Sequence, residues 1–192
     1  IQSVKENGGY YLARYEASYK SGSSVADWKP LSKKSTDKNE DDMHYEYGTL
    51  WNFVTQLQAS KICQNMYKND DSVGVESDLV NSYAWDTAVV FIQEMSETNS
   101  NYANKTDGNG TLKNTGETGD KACNIYDMAA NLREFTTEYC LYESTTTTYP
   151  CTGVGGYYSS LESNNTTVEK AARLSTDHYV QYGFRVLLYV DI

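Results

Sequence analysis

The alternation of apolar and polar positions is clearest at the end of the chain. Phe184, Val186, Leu188 and Val190 alternate with Arg185, Leu187 and Tyr189, and the period of two with bulky groups on both faces predicts a strand buried on both sides. Near the start, Tyr10-Tyr11-Leu12-Ala13-Arg14-Tyr15-Glu16-Ala17 follows the Gly8-Gly9 turn signal and alternates loosely, which predicts another strand. Between them the period changes twice to that of a helix. Thr55-Gln56-Leu57-Gln58 matches a capping box, in which two side chains satisfy amides that a helix start leaves open. Behind it Ala59, Ile62, Cys63, Met66 and Tyr67 share one face, and Asp70-Asp71-Ser72 ends the helix. A second helix is predicted from near Ser82, with Trp85, Ala88, Val89 and Ile92 inward. Ser18 to Asp42 and Asn99 to Gly119 are polar and aperiodic and read as surface loop, with short apolar pieces around Asn124-Ile125-Tyr126 and Leu132 to Thr136. Two helices, few strands and much irregular chain make this an α+β fold with no internal repeat.

The 192 residues suit one domain, 1–192. A chain of that size buries roughly two-thirds of its unfolded surface, enough for a real core. A formal charge of −10 argues against a nucleic-acid partner, which calls for a lysine or arginine stripe to replace phosphate counterions. No apolar run reaches the length of a membrane span, so direct membrane insertion is not expected. The sequence opens at Ile1 without Met and reads as the C-terminal part of a longer protein. His44 and His178 are the only histidines, too few for a three-histidine metal site, and no Ser-His-Asp arrangement stands out. The four cysteines lack C-x-x-C spacing, which argues against structural zinc. Cys140 and Cys151 flank a Thr-rich stretch and are either a disulfide clipping that loop or two buried thiols. The acids Asp37, Glu40, Asp41 and Asp42 read as a solvated loop.

Tyrosine is the unusual residue, 18 against 4 Phe. It concentrates before the last strand. Tyr157, Tyr158, Ser159, Ser160, Asn164, Asn165 and Thr166 come first, then Ser175, Thr176, Asp177, His178, Tyr179, Gln181 and Tyr182. This is the chemistry of a paratope: tyrosine gives rigid amphipathic contact area, and Ser, Asn and Thr give adaptable hydrogen bonds. The competing reading is an ordinary polar loop. Arg185, a charge among apolar neighbours, requires a buried partner.

The order of segments resembles the formylglycine-generating-enzyme-like (sulfatase-modifying-factor) domains. Gly9-Tyr10-Tyr11-Leu12-Ala13-Arg14-Tyr15-Glu16 is similar to their opening strand, and Trp85-Asp86 to part of their second helix. Asn124-Ile125-Tyr126-Asp127-Met128-Ala129-Ala130-Asn131-Leu132-Arg133-Glu134-Phe135-Thr136 resembles their hallmark motif. Val154-Gly155-Gly156-Tyr157-Tyr158 resembles their Gly-Gly turn, and Tyr182-Gly183-Phe184-Arg185-Val186 their terminal strand. The resemblance implies a C-type-lectin-like fold of the formylglycine-generating type. In that fold the terminal strands lie together, and two helices pack on a small, twisted, mostly antiparallel sheet with long irregular loops.

Departures from the family bear on function. Ala130 replaces a Gly, Arg133 and Phe135 replace two Trp, and Val154 replaces an Arg. The enzymes of the family hold copper with two cysteines just before the terminal strand, whereas Arg173 to Tyr182 contains none, so the resemblance implies a non-enzymatic relative. It also places Asp127 and Glu134, with the carbonyls of Ala130 and Leu132, where relatives hold calcium; no other cofactor is implied. The competing role for Glu134 is to cap backbone amides or pair with an arginine. Arg133 is expected to reach the binding face. The Tyr/Ser/Asn-rich segment further resembles the variable region of diversity-generating-retroelement targets. The expected function is therefore a ligand-binding domain on a bacterial cell surface or phage virion, carried by a parent protein and recognising a protein or glycan on another cell or host. The alternatives are a metal-dependent enzyme of the same fold and a structural subunit.

Overall fold

The computed structural model describes residues 8–20, 29–40, 46–67, 74–143, 148–159 and 165–190, with main chain alone over 141–143. The elements, in order, are β1 (Tyr11–Leu12), β2 (Ser18–Lys20), β3 (Lys29–Leu31), α1 (Gln56–Gln64), β4 (Val75–Leu79), α2 (Ser82–Met95), β5 (Lys121–Ala122), β6 (Ile125–Tyr126), β7 (Arg133–Glu143), β8 (Thr148–Val154), β9 (Lys170–Arg173), β10 (Tyr182–Phe184) and β11 (Val186–Val190). A three-stranded sheet runs β1-β11-β4 and a four-stranded sheet runs β10-β7-β8-β9; two small ladders pair β2 with β3 and β5 with β6. Among these described strands, β10 pairs with β7 in parallel and the other pairings are antiparallel. The fold is α+β, and its first and last strands pair, Tyr11 opposite Leu188.

Both helices start where their local chemistry dictates. Thr55 accepts from the Gln58 amide while the Gln58 side chain accepts from the Thr55 amide, which completes the capping box. α1 ends at Gln64, so Met66 and Tyr67 lie in the turn that follows rather than on its face. The expected stop at Asp70-Asp71-Ser72 lies outside the described residues. α2 is capped by the Asn81 side chain, which accepts from the Ala84 amide at 2.9 Å. It buries Trp85, Ala88, Val89 and Ile92.

Two strand expectations are corrected. Only Tyr11 and Leu12 of the first predicted strand form ladder pairs, because Glu16 turns inward to accept from the Leu132 amide and the Asn131 side chain. The last predicted strand is broken at Arg185: β10 belongs to one sheet and β11 to the other, and the guanidinium at the break faces Glu134. The polar stretch Ser18 to Asp42 is not simply a surface loop. Ser18, Tyr19, Ser35 and Asn39 are buried, with Ser18 bonded to the Lys33 carbonyl and Ser35 to the Thr115 amide. Burial of Ser18 and Ser35 is tolerated because distant backbone supplies their partners, which local hydropathy does not reveal.

The described core has one cluster around Trp51, with Phe135, Phe184 and Tyr182, another around Trp85, with Met128, Val154 and Leu187, and a small third of Leu50, Leu112 and Leu132. β7 crosses between them and carries Arg133 and Glu134 at its start. The hallmark-like segment before β7 bends sharply, with Asn124, Asp127 and Asn131 at φ of 64°, 65° and 58°. Asn and Asp tolerate this left-handed region better than other side chains.

Candidate functional site

Arg133 is the centre of the region that the sequence singles out. It is 2 % exposed, and its donors are spread over three segments. Nε donates to the Gly155 carbonyl at 3.2 Å and Nη2 to Asn165 Oδ1 at 2.8 Å, and the same nitrogen lies 3.3 Å from a Glu169 carboxylate oxygen. The guanidinium carbon sits 5.3 Å from the Tyr157 ring centroid, a cation–π distance. Burial lowers the Arg133 pKa, Glu169 opposes the shift and Arg173 adds to it. Arg133 therefore supports the face from beneath instead of projecting from it, a correction to the expectation that it reaches the surface.

The Gly155-Gly156 turn is placed by close backbone approach. Gly155 has φ +83°, and a Cβ there would lie 2.8 Å from the Met128 carbonyl oxygen and 2.9 Å from the Trp85 ring. A Cβ on Gly156 would collide with the Ala129 carbonyl and crowd that of Asn165. Gly156→Ala is accordingly expected to destabilise at or above the upper end of the about 1–3 kcal/mol typical of overpacking, because backbone cannot rotate aside. Urea unfolding with an unchanged slope checks this. Beyond the turn, the Tyr158 amide donates to the Asn131 carbonyl at 2.8 Å, and its ring packs with Val180 against Leu50, Leu112 and Leu132.

A second group comes from the turn between β9 and β10. Asp177 is buried, and its Oδ2 accepts from the Leu174 amide at 3.0 Å, so it builds the turn and is withdrawn from the face. His178 and Tyr179 stand outward, stacked at 5° with centroids 6.2 Å apart, and Tyr179 is 51 % exposed. His178 Nδ1 lies 2.7 Å from the Thr176 carbonyl. Ser175 and Thr176 are exposed and Gln181 half-buried. Tyr182 is corrected to a core residue: it packs against Phe135 at 5.3 Å, lies under the Arg173 guanidinium at 5.1 Å, and burial raises its phenol pKa. The two groups meet through β7 and β10, where Tyr182 is opposite Arg133 and the Arg133 amide donates to Gln181 O. Asn52, which the sequence did not single out, fixes the turn by donating to the Val180 carbonyl at 2.7 Å. Glu169 and Arg173 were also missed, since single charges just before and at the end of a short strand carry no local signal. Ser160 and Asn164 lie outside the described residues.

The residues proposed for calcium form a different site, and they do not fit the ion. Glu134 is fully buried and takes the Arg185 guanidinium on both oxygens, at 3.1 and 3.0 Å from Nε and 2.7 Å from Nη2. Asp127 accepts from Thr115 Oγ1, Thr118 Oγ1 and the Gly116 amide. A hard cation needs carboxylate lone pairs, and here protein donors use them. Cys140 and Cys151 are not disulfide-bonded. Cys151 is opposite Tyr139 in the ladder, so Cys140 is one step out of register with it.

No protein-family model matches the chain, and no curated protein matches it. Solved structures do. A crystal structure of CarF aligns with a TM-score of 0.55 and 12 % identity over 99 % of this chain and 81 % of that one. The P3c variant of Major Tropism Determinant aligns with a TM-score of 0.52 and 11 % identity over 95 % of this chain and 51 % of that one. The likeness is one of fold. This chain spans about half the length of the tropism determinant. None of these matches supports a formylglycine-generating domain.

Proposed function

We propose that this chain is a non-catalytic receptor-binding domain of C-type-lectin-like architecture, displaying Tyr157, Asn165, His178, Tyr179 and their Ser/Thr neighbours to a protein or glycan on another surface. The observation that carries this reading is the division of labour within one segment. His178 and Tyr179 face outward while Asp177 and Tyr182, beside them in sequence, are locked inward. A surface held by Arg133, Asp177 and Asn52 from below loses little entropy on binding. The likeness to a protein named as a tropism determinant supports a role in recognition and a place on a phage virion or bacterial surface. The absence of cysteine from Arg173 to Tyr182 supports a non-enzymatic reading. No calcium is required in this proposal, because Arg185 supplies the positive charge beside Glu134.

The test is a Tyr157→Ala, His178→Ala, Tyr179→Ala triple variant, with Tyr158 left intact because it packs on Leu50, Leu112 and Leu132. Circular dichroism is expected to be unchanged. Binding of the labelled domain to a panel of bacterial cells, read by flow cytometry, is expected to fall by about thirtyfold or more, the equivalent of one anchor residue of about 2 kcal/mol. Undiminished binding with an intact fold would show that this face is not the contact surface.

A further inference from the structure

Away from that face, a groove of about 570 Å³ opens between the start of α2 and the strands β7, β8 and β9. Thr152 and Ala172 belong to its lining and are small. Tyr83 and Tyr139 also line it, and they are 79 % and 67 % exposed, although solvent is a poor environment for an aromatic ring. Glu138 lies at the helix start, where Oε1 accepts from the Ser82 amide at 2.7 Å. Its other oxygen, Oε2, is buried and has no hydrogen-bond partner among the described residues. Ser82 is 7 % exposed, lines the groove, and its Oγ is likewise buried without a partner. Two residues of the groove lining therefore each carry a buried oxygen without a partner among the described residues, and leaving such atoms unpaired costs about 1–3 kcal/mol each.

We infer that this groove is a docking slot for a guanidinium group, the arginine side chain of a protein partner. A guanidinium offers five N–H donors in one plane, so it can bond a carboxylate oxygen and a hydroxyl together. Its faces also stack on tyrosine rings, which an ammonium does less well. The aliphatic stem would lie against Thr152 and Ala172. Charge complementarity favours a cation on two scales. Asp86 adds a second carboxylate to the groove, and a chain of net charge −10 draws basic partners towards it. Lys170 now pairs with Asp86 at 2.6 Å, but their side chains are 41 % and 46 % exposed. An ion pair so open to water is worth little. Lys170 is therefore the side chain that yields when a partner's cation takes its place beside Asp86.

The probe is N-acetyl-argininamide titrated into the intact chain, followed by amide NMR shifts, with the isosteric uncharged citrulline derivative as control. Saturable shifts at Ser82, Tyr83, Tyr139 and Thr152 are expected with the arginine compound and not with citrulline. Glu138→Gln should weaken binding by about tenfold or more, as loss of a hydrogen bond to a charged group does. Asp86→Asn, on a half-exposed side chain, should weaken it severalfold with circular dichroism unchanged, and Lys170→Ala should tighten it. No saturable shift with argininamide, equal shifts with citrulline, or insensitivity to Asp86→Asn would each overturn the proposal. A lysine derivative that binds as tightly would overturn the assignment to guanidinium.

Discussion

An Arg185→Met variant is expected to lose about 3–5 kcal/mol of stability, the range for removing one partner of a buried ion pair. That is a large part of the about 5–15 kcal/mol by which a domain is normally stable. Arg185 is fully buried, and no water can replace it. Besides Glu134 it donates to the Ala13 carbonyl at 2.9 Å and the Tyr126 carbonyl at 2.7 Å, so it ties β7 to the segment after β1 and to the end of β6. Methionine keeps much of the volume and removes every donor. It also leaves Glu134 uncompensated, with the buried acids Glu16 and Asp127 nearby. Urea unfolding measures the loss as a shift in midpoint at constant slope. Adding Glu134→Leu should recover part of it, since an apolar pair of similar volume often replaces a buried ion pair without penalty. A loss below about 1 kcal/mol would place Arg185 in the class of ordinary surface pairs.

Stability is expected to decline as pH rises above the ordinary carboxylate value of 4.5, and Glu16→Gln is expected to flatten that decline. Glu16 is fully buried, and its carboxyl is raised well above the ordinary 4.5, first by burial and then by Asp127 and Glu134. Arg185 and the Asn131 hydrogen bond pull the other way and do not offset burial. Between the ordinary value and the raised one, the folded chain holds a proton that the unfolded chain has released. More protons bound in the folded state means that stability is complete below the ordinary value and is lost as pH climbs. The slope for one such proton is at most about 1.4 kcal/mol per pH unit. Asp127, also raised by burial, contributes in the same sense. Urea midpoints over this range measure both proteins, and the difference between their profiles isolates Glu16 from the self-repulsion of an acidic chain. If stability rises over this interval in the parent chain and the variant alike, Glu16 is ionised when folded.

Features governed by neighbours along the chain were legible in the sequence. The capping box at Thr55 and the inward face of α2 are examples, whereas the closeness of the first strand and the last was implied only by the family resemblance. Features governed by distant partners were not. β4 reads Val75-Glu76-Ser77-Asp78-Leu79, too polar to announce a strand, yet Ser77 is buried because it bonds the Cys63 carbonyl at 2.7 Å. β9 is equally short and mixed, and it is held by four pairs to β8. Within the candidate site, composition located the segment but could not sort its members. Tyr179 and Tyr182 are the same residue three positions apart, and only the pairing of β10 with β7 leaves one exposed and makes the other core.

The sequence by itself determined the α+β class, the positions of both helices and the concentration of tyrosine before the last strand, because periodicity, capping and composition are local properties. The tertiary structure alone decided that Arg185 takes the carboxylate proposed for calcium, and that Arg133 lies beneath the face it was expected to join. It also decided which polar side chains turn inward. The reason is that a buried charge or tyrosine hydroxyl is stable only beside a partner, and those partners come from segments far away in the chain.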